Sequence, residues 1–239
     1  MRSDVLIVGG GIAGLSAATF TARADFETLV VDADDSILRR NAHVENYPGF
    51  PAGVNARQLL DLIAEGATRA GCDRRVDEVV RLDRAADGFV AETATGDRHR
   101  ADRVVAATKN AVDYLPDAVE IVDRGKPFVA VDDRGRTAVE GLYAAGRLAG
   151  KPHQAIVSAG HGAEVAVTLL EDADAPFYHD WVAPTGYFTG RGRDIPPGCE
   201  EIDDTEFRRR ERESREAMRA YFAEPHPDRP EQHPTVAEE

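Results

Sequence analysis

Two rhythms of apolar residues alternate along the chain. Val5-Leu6-Ile7-Val8 and Thr28-Leu29-Val30-Val31 are short, nearly unbroken apolar runs, the pattern of parallel strands buried on both faces. Between them, residues 12–24 are alanine-rich and predict a helix. Asn46-Tyr47-Pro48-Gly49 reads as a turn, and Asn55 as the N-cap of a helix over about 56–70. The rhythm then changes to strict alternation. Segments 76–83, 88–94 and 97–101 predict an antiparallel β-meander with Asp87-Gly88 as its first turn. Residues 102–107, "DRVVAA", predict a buried strand that ends at Thr108. A strand at 142–145 and a glycine-punctuated helix over about 153–171 repeat the strand–glycine–helix theme of the N-terminus. The whole pattern predicts an α/β fold, a Rossmann-like domain with a central parallel sheet and an added antiparallel meander.

The first strand runs into Gly9, Gly11 and Gly14, a G-x-G-x-x-G turn that opens the first helix. The first glycine permits the tight turn, the second lets backbone approach a pyrophosphate, and the third lets the helix lie close on the strand. The helix N-terminus then offers unpaired N–H groups and positive dipole to phosphate. Asp32 ends the second strand 18 residues after Gly14, where a carboxylate accepts hydrogen bonds from ribose hydroxyls. An acid there also disfavours a 2′-phosphate. Strand, glycine turn, helix and spaced acid together predict dinucleotide binding.

Charge narrows the function. The 43 acidic residues outnumber 29 basic ones, for a formal net charge of −14, which argues against nucleic acid or an anionic membrane as partner. Only three of the bases are lysine: Lys109, Lys126 and Lys151. Many carboxylates with few lysines predict a halophilic protein, in which salt screens the self-repulsion. The two cysteines, Cys72 and Cys199, form no C-x-x-C pair and predict reduced thiols. No apolar run approaches the ~20 residues of a membrane span, and the N-terminal apolar stretch leads directly into the glycine turn rather than to a cleavage site. The expected setting is soluble and cytoplasmic.

"VENYPGFP" at 44–51, the opening G-x-G-x-x-G, and "GLYAAG" with "HQAIVSAGHGAEVA" at 141–166 occur in the order seen in one family. Over residues 4–110 and about 127–172 the chain resembles the low-molecular-weight thioredoxin reductases, two-domain flavoproteins of the pyridine nucleotide–disulfide oxidoreductase class. The resemblance implies FAD as cofactor. It implies a cofactor-binding set of Gly9, Gly11, Ile12, Ala13, Gly14, Asp32, Ala33, Asn46, Val79, Thr108, Gly146, Arg147, Gln154 and Ala155. Within that set Gln154 and Ala155 would lie against the pyrimidine edge of the flavin, Asn46 near the ring, and Val79 against the adenine, with Thr108 closing one side. The family inserts an NADPH-binding domain with a redox-active C-x-x-C between its two FAD segments; here about 17 residues, 111–127, join them. The expected organisation is one FAD domain, 1–172, made of segments 1–110 and 127–172. A C-terminal extension follows over 173–222, and a disordered tail over 223–239.

Three positions depart from the family pattern. Lys109 follows Ala107-Thr108 where the family has glycine, and Asp35-Ser36-Ile37-Leu38 with Arg39-Arg40 stands where it has G-G-Q-L. Arg147 follows Gly146 where the family has an aspartate that accepts from the ribityl chain. Arginine can only donate. Either it points to solvent and another group takes over the contact, or it clamps the pyrophosphate or an anionic substrate, or FAD is not the ligand. Lys109 and Arg147 would also raise a flavin's potential.

The extension is rich in Pro, Gly and aromatics (Phe177, Tyr178, Trp181, Tyr187, Phe188) and reads as a surface wrap or a cover over the cofactor. Residues 204–222 predict a charged helix with i, i+4 pairs Glu206/Arg210, Arg209/Glu213, Glu211/Arg215 and Arg212/Glu216. It reads as a solvated face or a homodimer contact. His43, His153 and His161 are candidates for proton chemistry by position only, with polar rim residues as the plainer reading; no metal site is expected. The expected function is an FAD-dependent oxidoreductase that takes electrons from an external donor, such as a small redox protein. The alternative is a non-catalytic flavin- or dinucleotide-binding subunit.

Overall fold

The computed structural model describes residues 2–176, 179–233 and 236. Its strands and helices follow the apolar rhythm. β1 (Arg2–Val8) leads into α1 (Ile12–Arg23) and β2 (Thr28–Asp32), and a single turn of 3-10 helix follows at Ile37–Arg40. β3 (His43–Val44) and β4 (Val54–Asn55) pair across the Tyr47-Pro48-Gly49 turn and deliver the chain to α2 (Ala56–Arg69). Asn55 caps α2 as expected: its Oδ1 accepts from the Arg57 N–H at 3.0 Å and the Gln58 N–H at 3.5 Å. Then come β5 (Asp73–Val76), β6 (Val79–Ala85), β7 (Gly88–Thr93) and β8 (Arg98–Ala106). A hairpin of β9 (Ile121–Asp123) and β10 (Pro127–Val129) precedes β11 (Leu142–Ala144), a 3-10 turn at Gly146–Ala149 and α3 (Ala155–Asp172). The extension contributes β12 (Trp181–Pro184), β13 (Cys199–Ile202) and α4 (Asp204–Tyr221).

The main sheet runs β5-β2-β1-β8-β7-β6, with β11 also on β8. β5, β2, β1, β8 and β11 are parallel, while β6 and β7 are antiparallel. Segments 97–101 and 102–107, expected as two strands, are one. β8 pairs β1 along its length, whereas its other edge is shared, by β7 at 98–101 and by β11 at 104–106. No turn residue separates Ala101 from Asp102, so the strand continues while its neighbour changes. Residues 73–76 also form an edge strand on β2, β5, all four of whose residues are exposed.

The central strands are covered on both faces, which is why their apolar runs are unbroken. Val5, Ile7, Val30, Val105 and Tyr143 pack toward α1, α2 and α3. Leu6, Val8, Leu29, Val31, Val104 and Leu142 pack toward Leu82, Phe89, Tyr114 and Val119. The short connection after β8 is therefore part of the second core layer: Tyr114 is buried, and its carbonyl accepts the Leu82 N–H at 2.7 Å. α1 and α3 meet at glycine. A Cβ on Gly162 would fall 2.1 Å from the Ala13 carbonyl oxygen, so only glycine admits this approach.

In the extension, Trp181, Tyr187 and Phe188 pack edge to face, with centroids 4.7 to 5.9 Å apart. Phe177 and Tyr178 lie outside the described residues. Asp180 pairs with Arg23 at the C-terminal end of α1, far from the glycine turn at its start. This aromatic group is thus a wrap on the body and does not cover the glycine turn. α4 lies along α2, where the Gln58 side chain donates to the Tyr221 carbonyl and Arg69 reaches Glu213 at 3.4 Å. Of the four expected ion pairs on α4, Glu206/Arg210, Arg209/Glu213 and Glu211/Arg215 form, at 2.8, 3.0 and 3.1 Å. Arg212 and Glu216, both among the described residues, do not pair with each other. Beyond α4, His226 Nε2 sits 3.0 Å from Asp61 Oδ2 and the Glu231 N–H donates to the Arg39 carbonyl, so the described part of the tail follows the body. Among the described residues no helix is long and apolar enough to cross a membrane.

Candidate functional site

The loops after β1, β2, β8 and β11 open onto one cavity of about 680 Å³ at the carboxyl edge of the sheet, the edge where open α/β sheets hold their ligands. Twelve of the fourteen expected positions line it, all but Gly14 and Gly146. Those two lie directly beneath. A Cβ on Gly14 would fall 2.0 Å from the Gly9 carbonyl oxygen, and one on Gly146 would fall 2.7 Å from the Ala13 Cβ.

Among the described residues no side chain caps the first-turn N–H groups of α1. The N-cap Gly11 supplies no side chain, the first turn carries no acid, and the first intrahelical bond to the cap is Leu15 N–H to the Gly11 carbonyl at 2.9 Å. Gly9 takes φ +102° in the tight turn. A Cβ on Gly11 would meet only Ser36 Oγ, at 3.7 Å, so open space lies over the helix start. That cradle suits a pyrophosphate. Asp32 stands beside it, buried, with its carboxylate against Gly10. Burial raises its pKa, and the Gly10 backbone N–H, favouring the charged form, offsets part of that rise. A carboxylate so placed gains from hydroxyl donors brought by a ligand.

Gln154 caps α3 without a side-chain bond to the helix. Its Oε1 instead accepts from Asn46 Nδ2 at 2.8 Å. Two residues 108 positions apart, from the turn after β3 and the start of α3, thereby join at the cavity wall. Thr108 Oγ1 donates to the Ala111 carbonyl at 2.7 Å and accepts from the Tyr114 hydroxyl at 3.1 Å. Burial holds the Tyr114 phenol protonated, with its pKa raised. Tyr114 also lines the cavity and went unassigned from sequence; an aromatic six residues past Thr108 was its one signal.

Arg40, Lys109 and Arg147, which depart from the pattern of the resembled family, all line the cavity. Arg147 lines the cavity with its guanidinium 5.4 Å over the Phe128 ring, so it is held at the wall rather than directed to solvent. Lys109 adopts φ +61°, a left-handed backbone natural to glycine and costly for lysine. Arg40 lines the same cavity. Its loop is braced by the buried Arg57, which donates to the Asn41 carbonyl at 2.8 Å and to the Arg39 carbonyl at 3.0 Å.

The histidines divide. His43 and His153 line the cavity; His43 Nδ1 sits 2.7 Å from Glu45 Oε1. Partial burial, with Arg147, Lys109 and Lys126 nearby, lowers the His153 pKa. His161, expected at a polar rim, is buried beneath the site, and its Nδ1 accepts the Gly146 N–H at 2.9 Å. Neither cysteine is placed for thiol chemistry here. Burial pushes the Cys72 thiol up to about 11, and Cys199 lies in the extension.

Residues 3–108 match the pyridine nucleotide-disulphide oxidoreductase family. A bifunctional thioredoxin reductase/thioredoxin of Mycobacterium leprae is 33% identical over 134 residues, 54% of this chain and 29% of that protein. A thioredoxin reductase of Mycolicibacterium smegmatis is 37% identical over 117 residues, 47% of this chain and 36% of the relative. The alignments thus span about a third of these relatives' length. Among solved structures, a thioredoxin reductase from Gloeobacter violaceus superposes with TM-score 0.68 at 18% identity, covering 72% of this chain and 95% of that one. A ferredoxin-flavin thioredoxin reductase from Clostridium acetobutylicum gives TM-score 0.61 at 17% identity, covering 73% and 98%. The chain thus resembles thioredoxin reductases in sequence over about half of its length and shares their fold over nearly three quarters of it.

Proposed function

We propose that the chain is an FAD-dependent oxidoreductase that receives its electrons from an external donor. The observation that carries this reading is the convergence of four strand-end loops on one dinucleotide-sized cavity, with an uncapped α1 N-terminus at one wall and the Asn46–Gln154 bond at another. Bound flavin would supply the two-electron chemistry. The chain's own residues would bind and orient it. The α1 N–H groups would take the phosphates, Asp32 the ribose hydroxyls, and the α3 start the pyrimidine edge, where helix dipole favours negative charge. Thr108 and Tyr114 would close the flank.

An external donor fits the short 107–141 connection, which holds a hairpin and core residues and no second glycine turn. The Clostridium neighbour, named for ferredoxin and flavin, offers a precedent for a protein donor. Two unpaired cysteines favour a cytoplasmic setting. The non-catalytic alternative draws on the same cysteines, since no dithiol can relay electrons onward.

Purified protein titrated with FAD decides the matter. The expected result is a bound-flavin absorbance spectrum that bleaches under an added reductant and returns with an electron acceptor. Flavin that binds but never reoxidises productively would favour the non-catalytic subunit. Protein that takes up no FAD would remove both readings.

A further inference from the structure

On a chain this acidic, one flank of the cavity is basic. Lys109, Arg147 and Arg40 line it, and Lys126 is brought beside them by two contacts: Asn110 Nδ2 donates to the Pro127 carbonyl at 2.8 Å, and Phe128 carries the Arg147 guanidinium. These four cations come from four segments, and none of them pairs with a carboxylate among the described residues. Lys109 feels Lys126, Arg40 and Arg147 as like charges, with Asp35 the acid among its neighbours. The chain has three lysines in 239 residues. Two are in this group, and the third, Lys151, lies four residues beyond Arg147.

The contrast with the second large cavity, about 640 Å³ at the opposite edge of the sheet, is direct. There Arg2 pairs with Asp102 at 2.6 Å and with Asp87 at 2.7 Å, and Arg136 pairs with Asp172 at 2.6 Å. Those two cations are neutralised within the protein. Those beside Lys109 repel one another and form no ion pair among the described residues, with Asp35 the acid in their field, and Lys109 holds a left-handed backbone while doing so. Such an arrangement costs stability unless an anion completes it.

The cofactor's own phosphates do not account for the group. A pyrophosphate is served by the α1 first turn and lies after β1, with Asp32 on its β2 side. Lys109 and Arg147 follow β8 and β11, on the other side of β1 in the strand order. We propose that Lys109, Lys126 and Arg147 on the β8–β11 flank, joined by Arg40 from the loop after β2, form a second anion-binding subsite for the carboxylate or phosphate of a small-molecule substrate. Its role in turnover rests on the flavin reading; binding of the anion does not.

The test is calorimetric titration of inorganic phosphate, and separately of citrate, into the whole chain at constant ionic strength, with and without FAD. Saturable binding of one anion per chain to FAD-loaded protein is expected. Lys126→Ala should weaken it about threefold and Lys109→Gly about tenfold. FAD affinity, read from the flavin absorbance, should be unchanged in Lys126→Ala, whose exposed site leaves folding intact. Anion binding in protein that takes up no flavin would support the subsite while removing the flavin reading. Flavin-loaded protein that binds neither anion would overturn the subsite and leave the flavin reading standing. Mutual exclusion of FAD and anion would also overturn it, because the cations would then belong to the cofactor's phosphates.

Discussion

His161 and Lys109 occupy positions that carry a free-energy cost, and each makes that cost measurable. His161 is buried, its Nδ1 committed to the Gly146 N–H, and its Nε2 has no partner among the described residues. Burial, with Lys151 nearby, lowers its pKa from 6.5 to about 4. The folded protein therefore refuses a proton that the unfolded chain accepts. The resulting stability is complete above about pH 6.5 and is lost as pH falls toward 4, on the order of 3 kcal/mol in all. Urea midpoints should drop across that window, and less so in His161→Asn, which keeps an acceptor but does not titrate. At Lys109 the φ of +61° costs a side chain ~1 kcal/mol that glycine does not incur. Lys109→Gly should therefore raise the unfolding free energy by about that amount while weakening anion binding. A variant that loses both would show that the lysine stabilises the loop instead.

At the scale of elements, α3 presents two glycines, Gly160 and Gly162, on different sides of the helix and in different surroundings. A Cβ on Gly162 meets the Ala13 backbone at 2.1 Å, whereas one on Gly160 meets nothing within 4 Å. Gly162→Ala should push α3 off α1 and lower stability by ~3 kcal/mol or more, with loss of FAD affinity as the α1 start shifts. Gly160→Ala should gain ~0.5–1 kcal/mol from helix propensity alone. Denaturant unfolding of the pair checks both signs. Elements with unbroken apolar runs or capped starts were legible in the sequence: β1, α1, β2, α2, β11 and α3 stand within a few residues of expectation. The change of partner midway along β8 was not legible, because local alternation records which face a residue takes and not which strand lies beside it. β5 carries an exposed, polar sequence and gave no period. β12 and β13 pair in parallel within a stretch read only as a surface wrap or a cover, with no strand expected in it. At the site, glycines and Asp32 were legible from spacing, and Asn46 and Gln154 from resemblance. Tyr114 and Arg57 act through contacts made only on folding.

For the whole molecule, charge decides. Exposed pairs such as Arg81–Asp83 and Arg98–Glu92 contribute little each, so adding salt costs little attraction while screening a net charge of −14. The melting temperature should rise by roughly 5 °C or more between about 0.1 M and 2 M KCl. An unchanged or falling value would remove the reading of the chain as salt-adapted. The shared edge of β8 has a consequence in time. Its β7 half needs the chain only as far as Ala101, but Val104–Ala106, complete once residue 106 is made, waits for Leu142–Ala144. At about 5–20 residues per second the nascent chain spends roughly 2–8 s with an apolar strand edge uncovered, and longer before α3 seats on α1. During synthesis that interval, rather than any weakness of the finished fold, is when this protein is most open to pairing with another chain.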